Sequence, residues 1–389
     1  MHSLYSRYNP WWDAPENAFK GLIDRPKFSS QLEKHLHSKP IIFLSGLRRS
    51  GKTSLLKLAI RQLIHAHNIS PRHILYLSLD DYVLSPKPMT ELIDQFRKIH
   101  KLKFSEKIYL FFDEVTYLPD FEIQLKNIYD TQKVKLFASA SSATGLRNKK
   151  PLLTGRTRTL AVQPLDFNEY LNFKRIDITA RDEHLRAAYF EDFMQSGGLP
   201  EYVLSGNMEY LKALVDDLIY KDIVAQYHIR DAKLIKDYFM LLMERAGKVL
   251  SVNKIARILS IAPDSANRYL QMFADTYLIH LIARHGATNA RLLAPKKIYA
   301  PDLGIRCLFT GLRDKGALFE NYVYLQINQL NPSYIYQDET EIDFITDQQT
   351  LVEVKYGQPM TEKQKKLFNT YPAKQRILVG HLDDIKKIK

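Results

Sequence analysis

Gly46-Leu47-Arg48-Arg49-Ser50-Gly51-Lys52-Thr53 has the spacing of a phosphate-binding loop: a glycine, four residues, then Gly-Lys-Thr. Its flanks agree with that reading. Ile41-Ile42-Phe43-Leu44 reads as a buried strand entering the loop. Ser54 to His65 reads as a helix leaving it, with Leu55, Leu56, Leu58, Ala59 and Leu63 on the apolar side. Gly46 and Gly51 permit turns that aim backbone N–H groups at phosphate oxygens. A helix beginning near Lys52 adds unpaired N–H groups and the positive end of its dipole. Gly46, Arg48, Arg49, Ser50, Gly51, Lys52 and Thr53 are therefore the expected ATP-binding residues. Lys52 would reach the β- and γ-phosphates, and the Thr53 hydroxyl would hold Mg2+.

A second signature lies downstream. Lys107 to Phe112 is an apolar strand that ends in Asp113-Glu114. Asp113 is placed to hold Mg2+ through water, and Glu114 to orient or deprotonate the attacking water. The strand Val134 to Ser139 exits into Ser139, Ser141 and Ser142 beside the expected crevice. These serines read either as a γ-phosphate sensor, with Ser139 the candidate, or as a polar strand exit. Arg156 and Arg158 follow; Arg156 is a candidate cis or trans finger for transition-state charge, with a surface salt bridge as the alternative. Repeated strand–helix units imply a parallel sheet covered on both faces. At the N-terminus Tyr5, Tyr8, Trp11 and Trp12 form an aromatic arm that either packs on the body or meets a partner. Pro26 is expected to begin a helix reaching about His37, and Thr90 to cap a helix beginning at Glu91.

The bulk properties set limits. The chain has 389 residues, enough for two or three domains, with ordinary globular composition. A net charge of +13 and a pI near 9.4 suit a polyanionic partner, nucleic acid or a membrane surface, or simply a basic solvated exterior. Cys307 is the one cysteine, so neither an intrachain disulfide nor a cysteine metal cluster can form. That composition fits a reducing, cytoplasmic setting. No run of 18 apolar residues signals a transmembrane helix, and Met1 to Pro10 has no apolar signal core.

The chain divides by pattern into three parts: 1–175, a P-loop ATPase domain with its arm; 176–295, a helical lid and winged helix-turn-helix; and 296–389, a smaller α/β domain. In the middle part, Ala180 to Gln195 and Met208 to about Tyr227 read as helices. Ser251 precedes the helix Val252 to Leu259, a short turn follows, and Asp264 or Ser265 opens a second helix. That is the layout of a helix-turn-helix, with 277–283 and 296–300 available for a wing. If it binds DNA, Asn267, Arg268 and Gln271 face the major groove. An oligomerisation or lid role is the alternative.

In the last part, 340–345 alternates acid and apolar residues, with Ile342 and Phe344 on one face and Glu341 and Asp343 on the other. Leu351 to Tyr356 forms the neighbouring strand, so Asp343, Glu353 and Lys355 converge, and Glu320 can join them from a helix. Such a set can hold Mg2+ or Mn2+ and hydrolyse a phosphodiester; an amphipathic hairpin with a salt-bridged face is the bland alternative. Lys363, Lys365 and Lys366 are further phosphate-contact candidates.

Taken together, these stretches resemble an archaeal and bacterial family. Its members join an AAA-type P-loop domain to a winged helix and a C-terminal restriction-endonuclease-like domain, PD-(D/E)xK of the DUF4143 type. The resemblance rests on 48–53, Phe112-Asp113-Glu114, Gly155-Arg156, Pro164 to Tyr170, Gly197-Gly198-Leu199-Pro200, Tyr299 to Gly304, Phe319-Glu320, Glu341 to Phe344 and Glu353-Val354-Lys355. It departs at Ala138-Ser139-Ala140, where members usually carry a glycine beside the serine. The resemblance implies a multidomain α/β fold with an additional-strand, AAA/RecA-like parallel sheet. It also implies that Glu320, Asp343, Glu353 and Lys355 occupy nuclease active positions. The expected function is an ATPase that binds DNA and cleaves it with a metal. An ATP-driven switch or scaffold with a silent nuclease-like domain is the alternative. A homo-oligomer and protein partners are also expected.

Overall fold

The computed structural model describes residues 2–141 and 150–388. The chain forms two compact units, Met1–Val162 and Gln163–Lys389.

The first unit is built on a parallel sheet of β1 (Ile41–Ser45), β2 (Ile74–Ser78), β3 (Ile108–Asp113), β4 (Val134–Ala140) and β5 (Thr157–Ala161), in the order β2-β3-β4-β1-β5. β4 is therefore the additional strand, inserted between the loop-bearing β1 and the acid-bearing β3. The strands read as continuous apolar runs because both faces are covered. Ile41 and Phe43 point to one side with Leu92, Phe96 and Leu125. Ile42 and Leu44 point to the other with Leu55, Ala59 and Leu63 of the helix Lys52–His65.

The aromatic arm packs. Tyr5 donates to the Leu92 carbonyl at 3.0 Å and Trp12 to the Ile74 carbonyl at 2.9 Å. Asn9 pairs with both the N–H and the C=O of Tyr76, at 2.7 and 2.9 Å. Tyr76 lies on the edge strand β2, so this side-chain amide closes off a sheet edge that would otherwise be open to pairing.

Several helix limits differ from the sequence reading. The helix expected to end near His37 is Pro26–Glu33. The helix after β2 opens at Met89 behind Pro88, without a Thr90 cap. Met208–Ile219 is α-helical, but Tyr220–Ala225 continues as a π-helix. The second helix of the helix pair opens at Pro263, whose fixed φ and missing N–H suit a first helical position, ahead of Asp264 and Ser265.

The second unit starts before residue 175. The helix Phe167–Lys174, closed by an Asp166/Glu169 capping box, packs its Phe167 and Tyr170 rings on Phe193 of the helix Arg186–Ser196. Helices Ala232–Glu244, Val252–Ile258 and Pro263–Asp275 precede and follow β6 (Lys248–Val249). β7 (His280–Ile282) and β8 (Lys297–Tyr299) complete an antiparallel sheet in the order β6-β8-β7. The helix Lys315–Ile327 leads into β9 (Ser333–Gln337), β10 (Thr340–Ile345) and β11 (Thr350–Val354). The helix Glu362–Thr370 then leads to β12 (Gln375–Val379). The sheet order is β12-β11-β10-β9, antiparallel except for the parallel pair β11/β12.

No break falls at the expected 295/296 boundary. β8 is the central strand of its small sheet, and Asn321 locks the segment after it through both amide atoms, to Ala300 N–H at 2.8 Å and Ala300 C=O at 3.0 Å. The Gly197-Gly198 stretch is explained by close packing. Gly197 has φ +69° and a Cβ there would collide with Asp302, whose buried carboxylate accepts from Gly198 N–H at 2.6 Å.

Strict alternation fails in β10. A bulge between Ile342 and Ile345 places those two residues in one cluster with Leu351 and Phe368. Phe344, expected beside Ile342, instead packs on Tyr299 and Tyr324.

Candidate functional site

The phosphate loop spans the end of β1 and the start of the helix Lys52–His65. Gly46 (φ +150°) has no room for a Cβ, which would strike the Val162 carbonyl, and Gly51 has φ +99°. Arg49 also adopts a left-handed conformation, φ +67°. Lys52 is buried, its ammonium donating to the Gly46 and Leu47 carbonyls at 3.0 Å each and lying 4.0 Å from Glu114 Oε1.

The acids at the end of β3 are held by hydroxyls. Thr53 donates to Asp113 Oδ2 at 2.5 Å and Tyr76 to the same oxygen at 2.8 Å. Ser139, brought in by β4, donates to Asp113 Oδ1 and accepts from the Glu114 N–H at 3.0 Å. Glu114 turns the chain in a left-handed conformation, φ +52°, and accepts from Ser141 N–H at 3.1 Å and from the Ser141 hydroxyl. Left-handed backbone at a glutamate costs about 1–2 kcal/mol, a strain placed next to the crevice.

Loop, lysine, threonine and both acids thus converge at the carboxyl edge of the sheet. Ser139 bridges the Asp113 carboxylate and the Glu114 N–H. Ser142 lies outside the described residues. Two contributors lacked a motif to reveal them: Tyr76, and the buried Arg25, which donates to the Ser50 carbonyl at 2.9 Å. Tyr76 keeps its proton because burial, then the Asp113 charge, raises its pKa well above the ordinary value.

Arg48 donates to the Tyr117 hydroxyl at 3.0 Å. Arg156 does not serve this crevice as a cis finger. It precedes Thr157, which pairs with Ile41 at the amino end of the parallel strands, whereas the loop leaves their carboxyl end. Its guanidinium is bound at 3.0 and 3.1 Å to the two oxygens of Asp130.

The loop fits a nucleotide with its Mg2+. The buried Ser50 hydroxyl finds no partner among the described residues, Gly46 leaves the loop backbone bare, and oxygen donors of the kind Mg2+ takes stand together at Thr53 and Asp113.

A second cluster lies in the second unit. Glu320, Asp343, Glu353 and Lys355 do converge, but around a residue that no motif singled out. Lys297, on β8, is 1% exposed, and its ammonium lies 2.7 Å from Glu320, 2.5 Å from Glu341 and 3.0 Å from Asp343. Tyr299 donates to Glu320 at 2.7 Å. Asp343 Oδ2 accepts from Val354 N–H at 2.9 Å. Glu353 accepts from Lys355 at 2.8 Å, from Gln364 at 3.1 Å and from Asp343 N–H at 3.2 Å.

Burial and then Asp343 push Glu320 up to about 7 and Glu353 up to about 8. Burial works against a charged Lys297, yet Glu320 foremost, with Asp343 and Glu341, keeps its pKa well above the ordinary value. A divalent cation does not fit here. Its place among the carboxylates is taken by an ammonium, and among the described residues no group of three or more His, Cys, Asp or Glu is arranged to hold a metal. The Mg2+ or Mn2+ expected on Glu320, Asp343 and Glu353 would meet the Lys297 ammonium among them.

The nucleic-acid candidates are surface residues. Asn267, Arg268 and Gln271 are exposed on the helix Pro263–Asp275, with Asn267 bonded to Pro263 C=O at 3.1 Å and Gln271 to Asp275 at 2.8 Å. Lys363, Lys365 and Lys366 are exposed on the helix Glu362–Thr370, with Lys365 paired to Glu362 at 2.7 Å. No described helix is long and apolar enough to cross a membrane.

Comparison with known proteins places this geometry. Residues 38–171 match the family model of an AAA domain, and residues 187–316 match a domain of unknown function, DUF8612. The second match runs across the expected 295/296 boundary and does not carry the DUF4143-type, nuclease-like or winged-helix names. An uncharacterized protein of Methanocaldococcus jannaschii is 26% identical over 358 residues, covering 86% of this chain and 79% of its own. One of Haemophilus influenzae is 24% identical over 344 residues, covering 84% of each. The structure of AMPPCP-bound DnaA from Aquifex aeolicus overlaps 66% of this chain and 90% of its own, at 14% identity and a TM-score of 0.31, too loosely to bear on function. The AAA-domain match takes in the whole P-loop sheet of the first unit, β1 to β5.

Proposed function

We propose that the chain is an ATP-hydrolysing switch that binds DNA through its second unit and does not cut it. The observation that supports hydrolysis, beyond nucleotide binding alone, is the fixed Glu114. Its carboxylate is gripped by Ser141, its N–H by Ser139, and its backbone is turned toward the crevice. In this reading the loop N–H groups and Lys52 bind the phosphates, Thr53 and Asp113 hold Mg2+, and Glu114 accepts the proton of the attacking water. Bound Mg2+ supplies charge neutralisation at the phosphoryl oxygens.

Arg156 lies at the amino end of the strands, away from its own loop, so a finger role for it would be in trans, from a neighbouring copy in a homo-oligomer. DNA binding rests on the net charge of +13 and on a short strand, a helix pair and two further strands of the same small antiparallel sheet, an order of elements like that of a winged helix. The helix–three strands–helix–strand order of 315–379 supports a nuclease-like origin for the last part. Lys297 weighs against metal-dependent cleavage there.

The test is ATP turnover and duplex binding, the latter by fluorescence anisotropy at several salt concentrations. Turnover lost in Lys52→Ala, and a binding constant that falls steeply with salt, are the expected results. A wild type that hydrolyses no ATP, with or without DNA, sinks the switch reading. Salt-insensitive or undetectable binding sinks the DNA reading.

A further inference from the structure

We infer that Lys297 takes the place of a divalent cation in the second unit, making its nuclease-like carboxylates a closed, metal-free cluster held by an internal ammonium.

Four observations carry this. The Lys297 ammonium touches three carboxylates at once, Glu320, Glu341 and Asp343, which is how a cation sits in such a set. The carboxylate oxygens of the two strand positions already have donors. Asp343 uses Oδ1 for Lys297 and Oδ2 for Val354 N–H. Glu353 uses Oε1 for Lys355 and Gln364, and Oε2 for the Asp343 N–H. A hard cation binding through oxygen would share those oxygens with their present donors and, at Asp343 Oδ1, would meet the Lys297 ammonium. The lysine is also fixed from behind: its backbone pairs with both Val249 and Ile282, as part of the central strand of a three-stranded sheet. Finally, its ammonium lies over the rings of Tyr299 and Phe344, 5.8 and 5.9 Å from their centroids, so the stem and the charge are both accommodated.

The same four acids and Lys355 would thus form a metal site in a chain lacking this one side chain. The lysine gives the cluster a structural use, tying β8 to β10 and to the helix that carries Glu320. The inference rests on the nuclease-like reading of the 315–379 sheet. Its readout is bound Mn2+, measured without nucleotide or DNA, so it can fail while the switch reading stands, and the reverse.

The experiment titrates Mn2+ into the full chain, free of nucleotide, and counts bound ion from the loss of the free-ion EPR signal. Wild type, Asp343→Asn, Lys297→Met, and Lys297→Met combined with Glu341→Gln are compared, the last variant restoring part of the charge balance. The expected result is no site in wild type that Asp343→Asn removes, and a gain of about one Mn2+ per chain in a folded Lys297→Met protein. An Mn2+ bound by wild type and lost in Asp343→Asn overturns the inference. A folded lysine-free variant that gains none also overturns it. Wild type alone decides if both lysine-free variants fail to fold: Lys297 must resist reductive methylation equally with and without excess Mn2+, and methylation that rises with Mn2+ contradicts it.

Discussion

Asp113 with Glu114 and Asp343 with Glu353 are two acid pairs brought together by strands, each with a lysine nearby, and they face different donors. The first pair is faced by small hydroxyls, Thr53, Tyr76, Ser139 and Ser141, and its lysine stands 4.0 Å off, engaged with loop carbonyls. The second is faced by an ammonium in direct contact with three carboxylates. Hydroxyls orient a carboxylate and leave its charge available to a cation; an ammonium consumes that charge. The acids alone therefore do not make a site: the donor opposite them decides.

Substitutions can break this contrast, and the largest effect belongs to the first pair. Lys52→Ala is expected to reduce ATP turnover by at least about 100-fold, the scale of losing one donor to developing charge, read as phosphate release. In the second pair, Lys297→Ala leaves buried carboxylates without their partner, and the cost is expected at about 3–5 kcal/mol, read as a lowered denaturant midpoint. If that variant is as stable as wild type, the ammonium is not what holds the cluster.

A smaller effect appears with pH. Glu320 and Glu353 have folded pKa values raised from 4.5 to about 7 and about 8. They bind protons more readily folded than unfolded. Their contribution to stability is thus complete below about pH 4.5 and is lost as pH rises through about 7 to 8. The melting temperature of the second unit should fall over that window, and Glu353→Gln should flatten the fall. An unchanged slope in the variant contradicts the assignment. Smallest of all, Arg156→Ala removes an exposed ion pair at the far end of the sheet and should leave ATP turnover nearly unchanged. A large loss would return Arg156 to the catalytic machinery.

Legibility in the sequence followed locality. The loop, its strand and its helix are contiguous, so spacing alone located Gly46, Lys52 and Thr53, and the apolar run ending in Asp113-Glu114 supplied the rest of the crevice. Ser139 stands out as a polar strand exit, but its link to both acids depends on β4 lying between β1 and β3, an order no local pattern encodes. For Arg156 the sequence left finger and surface salt bridge open, because Gly155 marks no end of the sheet; only the pairing of Thr157 with Ile41 does. The second cluster was half legible. Period-two alternation brought Asp343 and Glu353 together, but the bulge that redirects Phe344 is silent in the pattern. Lys297, separated from Asp343 by 46 positions and carried by a different sheet, looked like one more basic residue.

Steady-state ATP turnover of Glu114→Gln and Asp343→Asn, run side by side with wild type after both variants are shown to fold, tests the contrast most directly. The account predicts that Glu114→Gln binds nucleotide but turns it over at least about 100-fold more slowly, while Asp343→Asn turns it over at the wild-type rate. Equal losses in the two variants, or undiminished turnover in Glu114→Gln, would contradict it.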